Sequence, residues 1–150
     1  MKQLNGLWFT LGLVVILTFS LMSESHAQQS EIRILVNPTV EAAELSPGQL
    51  RRIFSMRQTN WPDGQPIRVF VLQRESKAHH QLCTQILKLF PYQMDKLWNK
   101  LVYSGIGNYP TFVKDESEML ESLRNNPGAI GYSTLTEGTD DLSVISVSME

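Results

Sequence analysis

The residues richest in chemistry lie in one polar run, Gln73-Arg74-Glu75-Ser76-Lys77. It stands between an apolar stretch, Arg68-Val69-Phe70-Val71-Leu72, and a helix-like stretch from Ala78 to Phe90. A hydroxyl, two cations and a helix start thus coincide. The free amides of a helix's first turn, together with its dipole, favour anions. Ser76 as N-cap can accept from one of those amides or offer its hydroxyl to a ligand, and Arg74 or Lys77 can add charge. The same residues also read as an ordinary capped helix whose polar turn faces water. Chemistry alone leaves both readings open.

Other candidates are poorer. There is no Ser nucleophile elbow, no zinc-binding His pair at helical spacing and no Gly-Lys-Ser phosphate loop. No catalytic residue, metal ligand or cofactor is therefore expected, and the chain reads as a non-enzyme. His79 and His80 are adjacent, so on a helix they point about 100° apart and do not share a metal easily; His79 reads as a partly exposed first-turn residue. Gly105-Ile106-Gly107 follows a helix rather than a strand and is too short for a nucleotide fingerprint. Cys83 is the only cysteine; it falls on an apolar helix face and reads as a buried thiol. Gly128 and Gly131 suit a turn and close backbone packing. Trp61 and Trp98 suit the core. Glu116, Glu118, Glu121 and Arg124 read most simply as a solvated helix face.

The elements that must position the polar run are legible. Glu31 to Val36 alternates and then turns apolar, as in a strand. Ser46, Pro47 and Gln49 form a helix start with a capping box, and Leu45 and Leu50 a hydrophobic staple. Leu50, Ile53 and Phe54 face the core. Met56 to Pro66 is a loop with Pro62-Asp63-Gly64 as turn chemistry. In the helix after Ser76, residues Leu82, Cys83, Ile86, Leu87 and Phe90 share one face. Pro91 opens another helix to Tyr103, with Met94, Leu97, Trp98, Leu101 and Val102 recurring on its inner side. Asp115 caps the next, with Glu118 in the capping-box position. Ala129 to Ser133 and Leu142 to Ser148 are strands. The order β-α-β-α-α-α-β-β predicts an α/β domain with a mainly parallel sheet flanked by helices.

The chain has 150 residues, enough for one domain, and a net charge of −2. That charge gives no electrostatic case for nucleic acid or an acidic membrane face. Lys2, the apolar run Leu7 to Met22 and Ser25-His26-Ala27 read as a signal peptide over residues 1–27, cleaved after Ala27. As a helix that run spans only about 24 Å, short of the roughly 30 Å hydrocarbon core. The expectation is an exported domain over 28–150 with no stable membrane anchor.

The order of motifs resembles the periplasmic phosphate-binding proteins of ABC transporters. The residues that carry this are Leu45-Ser46 leading to Leu50-Arg51-Arg52-Ile53-Phe54, then Asn60-Trp61-Pro62-Asp63-Gly64, Pro66-Ile67-Arg68-Val69 and Gly128-Ala129-Ile130-Gly131-Tyr132, with Ile34-Leu35-Val36-Asn37 at the opening strand. The resemblance implies a single lobe of a type II periplasmic-binding-protein fold, a periplasmic location and a small oxyanion such as phosphate as ligand. It maps the anion turn onto Ser76, Lys77 and Ala78, with Arg74 nearby but out of register. Ser76 matches the family serine; Lys77 stands where the family has glycine, Ala78 where it has threonine, and Leu72 where it has arginine. Family members that bind phosphate are about twice as long and close two lobes around the anion. A lone lobe also admits another reading, an accessory interaction or sensory module that has lost phosphate binding and pairs with itself as a homodimer or with another envelope protein.

Overall fold

The computed structural model describes residues 31–148. The signal-peptide reading lies outside the described residues. Six strands form one sheet: β1 Arg33–Val36, β2 Glu44–Leu45, β3 Arg68–Leu72, β4 Thr111–Val113, β5 Ala129–Ser133 and β6 Ser143–Val147, in the spatial order β2-β6-β1-β5-β3-β4. β3 runs parallel to β4 and β5, and β2 parallel to β6. β1 alone runs against its two neighbours. All strands but β1 therefore point the same way, as the mainly parallel expectation requires, and the C-terminal ends of β3, β4 and β5 share one edge.

Among the described residues, four α-helices flank the sheet: α1 Pro47–Phe54, α2 Lys77–Gln81, α3 Pro91–Tyr103 and α4 Glu116–Asn125. The α1 start forms as its residues dictate. The Gln49 amide donates to the Ser46 hydroxyl (3.2 Å) and the Ser46 amide to the Gln49 side chain (2.9 Å). Leu50, Ile53 and Phe54 are then fully buried.

β5 sorts the helices onto two faces, because successive strand residues point opposite ways. On one side of it, a Cβ at Gly131 would collide with Met119 Sδ and press on Leu123, both from α4. On the other, the Tyr132 ring packs edge-on against Phe54 of α1 (centroids 5.9 Å apart) and beside His79 of α2 (6.1 Å), which in turn lies beside Trp98 of α3 (6.1 Å). So α4 covers one face, and α1, α2 and α3 cover the other. Trp61 and Trp98 are core residues, as expected. Their indole N–H groups donate to the Gly128 and Phe54 carbonyls at 3.0 and 2.8 Å. Gly128 takes a positive φ of 75°, and a Cβ there would strike the Pro66 carbonyl oxygen.

Three expectations are corrected. The helix after Ser76 does not run to Phe90. After Gln81 it widens into a π-helical segment, Leu82–Ile86, closed by the Leu87 amide on the Leu82 carbonyl (3.0 Å). Lys88 then adopts a left-handed φ of 53°, and Arg51 of α1 donates through Nε to the Leu87 carbonyl at 2.9 Å. Leu82, Cys83, Ile86 and Leu87 stay buried, while Phe90 lies beyond the helix, exposed and stacked on Tyr92. His79 is not partly exposed but buried, at 1%. The α4 charges are not all a solvated face: Glu116 and Arg124 are tied to the loops after β5, through contacts described below.

Candidate functional site

At the edge where β3 ends, the chain turns through Gln73–Ser76, closed by the Ser76 amide on the Gln73 carbonyl (2.9 Å). Ser76 is the N-cap of α2, with extended backbone (φ −65°, ψ 132°). The first intrahelical donor is the His80 amide, which reaches the Ser76 carbonyl at 3.0 Å. The amides of Lys77, Ala78 and His79 precede it and belong to the unpaired first turn. Ser76's hydroxyl makes no cap bond with them, and the first turn holds no acidic residue. The N-cap position is as expected; the expected cap bond does not form.

The structure thus brings Ser76, Lys77 and the Ala78 amide to one helix start. Lys77 is exposed, Ser76 half-buried, and the Ala78 side chain buried. Arg74 points its charge elsewhere, pairing through Nη2 with Asp95 Oδ2 of α3 at 2.5 Å. Its side chain is 61% exposed, so the pair's main effect is to occupy the guanidinium rather than to stabilise the fold.

Beneath the turn lies a buried polar chain. The Leu72 amide donates to Tyr132 Oη at 2.8 Å, and Tyr132 Oη lies 2.7 Å from His79 Nδ1. His79 Nε2 lies 3.6 Å from Cys83 Sγ, four residues along the helix. Burial, aided by the nearby Arg74 and His80 charges and opposed by Glu75, pulls the His79 pKa down from 6.5 to about 4. The ring is therefore neutral at pH 7. Burial likewise pushes the Cys83 thiol up to about 12 and raises Tyr132. All three groups are therefore uncharged at pH 7: the thiol and the phenol keep their protons, and the imidazole is in its neutral form. The sequence holds one signal for this cluster: His79 lies three and four residues before Leu82 and Cys83, on the apolar face.

A second donor-rich turn follows β5 at the same edge. Ser133 Oγ and the Thr134 amide both donate to Glu116 Oε2 at 2.5 Å, Thr134 Oγ1 donates to Oε1 at 2.8 Å, and the Leu135 amide reaches Oε2 at 3.3 Å. This convergence on a carboxylate has no local sequence signal, because α4 and the end of β5 meet only in the fold. Arg124, farther along α4, donates to Asp141 (2.6 Å) and to the Gly138 carbonyl. Among the described residues no cluster of His, Cys, Asp and Glu could hold a metal ion.

The protein-family profile described as "PBP superfamily domain" matches residues 22–146, most of the chain. The chain belongs to this family. Solved structures agree on the fold. A candidate phosphate ABC transporter substrate-binding protein with bound phosphate, from Clostridium perfringens, superposes with a TM-score of 0.62 at 17% identity, over 77% of this chain and 44% of that one. An ABC-type phosphate transport receptor from Vibrio cholerae gives 0.61 at 17% identity, over 84% and 53%. PstS from Borrelia burgdorferi gives 0.57 at 18%, over 78% and 47%. The chain spans about half the length of these structures. No curated protein matches its sequence. The resemblance to phosphate-binding proteins thus holds at the level of fold, over about half of their length.

Proposed function

We propose that this chain is an exported, non-enzymatic solute-binding-like protein, related to the binding proteins of phosphate ABC transporters, that holds a small oxyanion such as phosphate at the start of α2. The observation that carries this is the uncommitted donor set there. The Ser76 hydroxyl makes no cap bond, no acid stands in the first turn, and Lys77 supplies a free cation at the mouth. The amides of Lys77 and Ala78 would take oxyanion oxygens, the Ser76 hydroxyl a third, and Lys77 would balance charge. Arg74 would join only on release from Asp95. The parallel ends of β3, β4 and β5 make this edge the usual ligand side of an α/β sheet. The family membership and the phosphate-related fold neighbours support the same ligand class.

Titration calorimetry of the chain from Gln28 onward, with phosphate and with sulfate at low salt, tests the reading. Measurable heat with phosphate is expected, and Ser76→Ala should weaken binding at least tenfold, the worth of one hydrogen bond to a charged group of about 1.5 kcal/mol or more. The absence of both heat and a thermal shift at millimolar anion overturns it. Mass spectrometry of the protein recovered from the periplasm should show a chain beginning at Gln28; an intact Met1 terminus would overturn export by cleavage.

A further inference from the structure

One oxygen atom holds both ends of the anion turn. Tyr132 Oη takes the amide of Leu72, the last residue of β3, and reaches the ring of His79, the third residue of α2. The intervening residues, 73–78, include every group assigned to the anion. We infer that Tyr132 and His79 are positioning residues, forming a buried clamp that sets the geometry of the turn from Gln73 to Ala78 without touching the ligand. The clamp's relevance to an anion rests on the functional reading above; its mechanical role does not.

The chemistry of the clamp is specific. Tyr132 Oη already accepts from Leu72, so its own hydrogen is free for His79 Nδ1. That makes His79 the Nε2–H tautomer, and Nε2–H then points at Cys83 Sγ, 3.6 Å away. This assignment uses both the phenolic and the imidazole hydrogens. A neutral ring is required, since a protonated Nδ1 could not accept, and the buried setting keeps the ring neutral. The aromatic surroundings fix the two rings further: Phe54 packs edge-on against Tyr132, and Trp98 beside His79. The donor side of the turn is thus held from below by two buried, packed side chains. Its outer groups, Ser76 and Lys77, are left open above.

The test combines Tyr132→Phe with amide exchange and phosphate titration. In the variant, the Ser76 and His80 amides, whose bonds close the turn and open the helix, should exchange at least tenfold faster relative to the Met119 amide at the start of α4. Phosphate affinity should fall at least tenfold with the sheet intact. Uniform change across all amides, or none, overturns the clamp. If the wild type binds no phosphate, the functional reading falls while the exchange ratio still decides the clamp. If phosphate binds wild type and variant alike, the positioning role falls and the functional reading stands. Should Tyr132→Phe not fold, His79→Asn and His79→Leu replace it. The Asn oxygen can stand where Nδ1 accepts, so His79→Asn should keep the wild-type exchange ratio and His79→Leu should lose it; equal ratios overturn the clamp. The ¹⁵N imidazole spectrum should show hydrogen on Nε2, and hydrogen on Nδ1 would refute the assignment.

Discussion

The turns after β3 and β5 lie at the same edge of the sheet and are both rich in donors, yet the chain treats them oppositely. After β5, two hydroxyls and two amides converge on the Glu116 carboxylate. The α4 start is filled with the chain's own anions as well: Asp115 accepts from the Glu118 amide (2.9 Å), and Glu118 reaches back to the Lys114 amide (2.8 Å). After β3, the first helical turn has no acid and Ser76 makes no cap bond; of the two carboxylates close by, Glu75 is exposed in the turn itself and Asp95 engages Arg74 to the side. Donor density is therefore a poor guide to a binding site. What distinguishes a candidate is donors that the fold leaves unclaimed. The turn after β5 is a structural tie; the turn after β3 is supported from beneath and open above.

The comparison has measurable consequences, the largest at the support beneath the β3 turn. His79 has a folded pKa of about 4 against an ordinary 6.5, with burial the leading cause. Its stabilising share is then complete above pH 6.5 and lost as pH falls toward 4, because the unfolded chain binds the proton more readily. The loss across that window should be about 3 kcal/mol. Urea unfolding of the wild type and His79→Gln at steps between pH 7.5 and 4 isolates it, since carboxylates elsewhere titrate in both. Parallel profiles would show that His79 is not held neutral. At the other turn, Glu116→Ala strands the buried Ser133 hydroxyl and its neighbours, and should lower stability by about 2 kcal/mol. Millimolar acetate should restore part of the loss if the donors keep their places, and the unfolding midpoint reads both effects.

How much of this the sequence reveals depends on whether a feature is local. The capping box at Ser46 and the caps at Ser76 and Asp115 are read from neighbours in the chain, and they stand at those positions. So do β1, β3, β5 and β6, whose apolar runs are long enough to show a pattern. β2 and β4, of two and three residues, are too short to carry one. The π-helical end of the α2 segment is hidden for another reason: Lys88 rather than glycine takes the left-handed turn, so the usual stop signal is missing. At the site, the positions of Ser76 and Lys77 are legible, because a strand and a helix start bracket them. The Tyr132 hydroxyl beneath them is not. Tyr132 sits in an apolar strand, and its partners come from β3 and α2. Arg74 looks as available as Lys77 until α3 brings Asp95 beside it.

Asp95 offers the next test. Asp95→Asn removes the charge that holds Arg74, leaving the guanidinium free to turn toward the open helix start. Phosphate affinity should rise about fivefold at low salt, roughly 1 kcal/mol, and the gain should shrink above about 0.5 M salt as screening sets in. Calorimetry at two salt concentrations reads this, and an unchanged affinity at low salt would mean that Arg74 lies out of reach of the anion.

The smallest effect bears most directly on the contrast between the turns. Ser76 occupies an N-cap, and removing a capping hydroxyl ordinarily costs about 1 kcal/mol because an amide loses its acceptor. Here no such bond exists to lose. Ser76→Ala should therefore change stability by less than about 0.5 kcal/mol while still weakening phosphate binding. A loss of a full kcal/mol in urea unfolding would mean that the hydroxyl caps the helix in solution. The two turns would then differ in degree only, since both would spend their donors and acceptors within the chain.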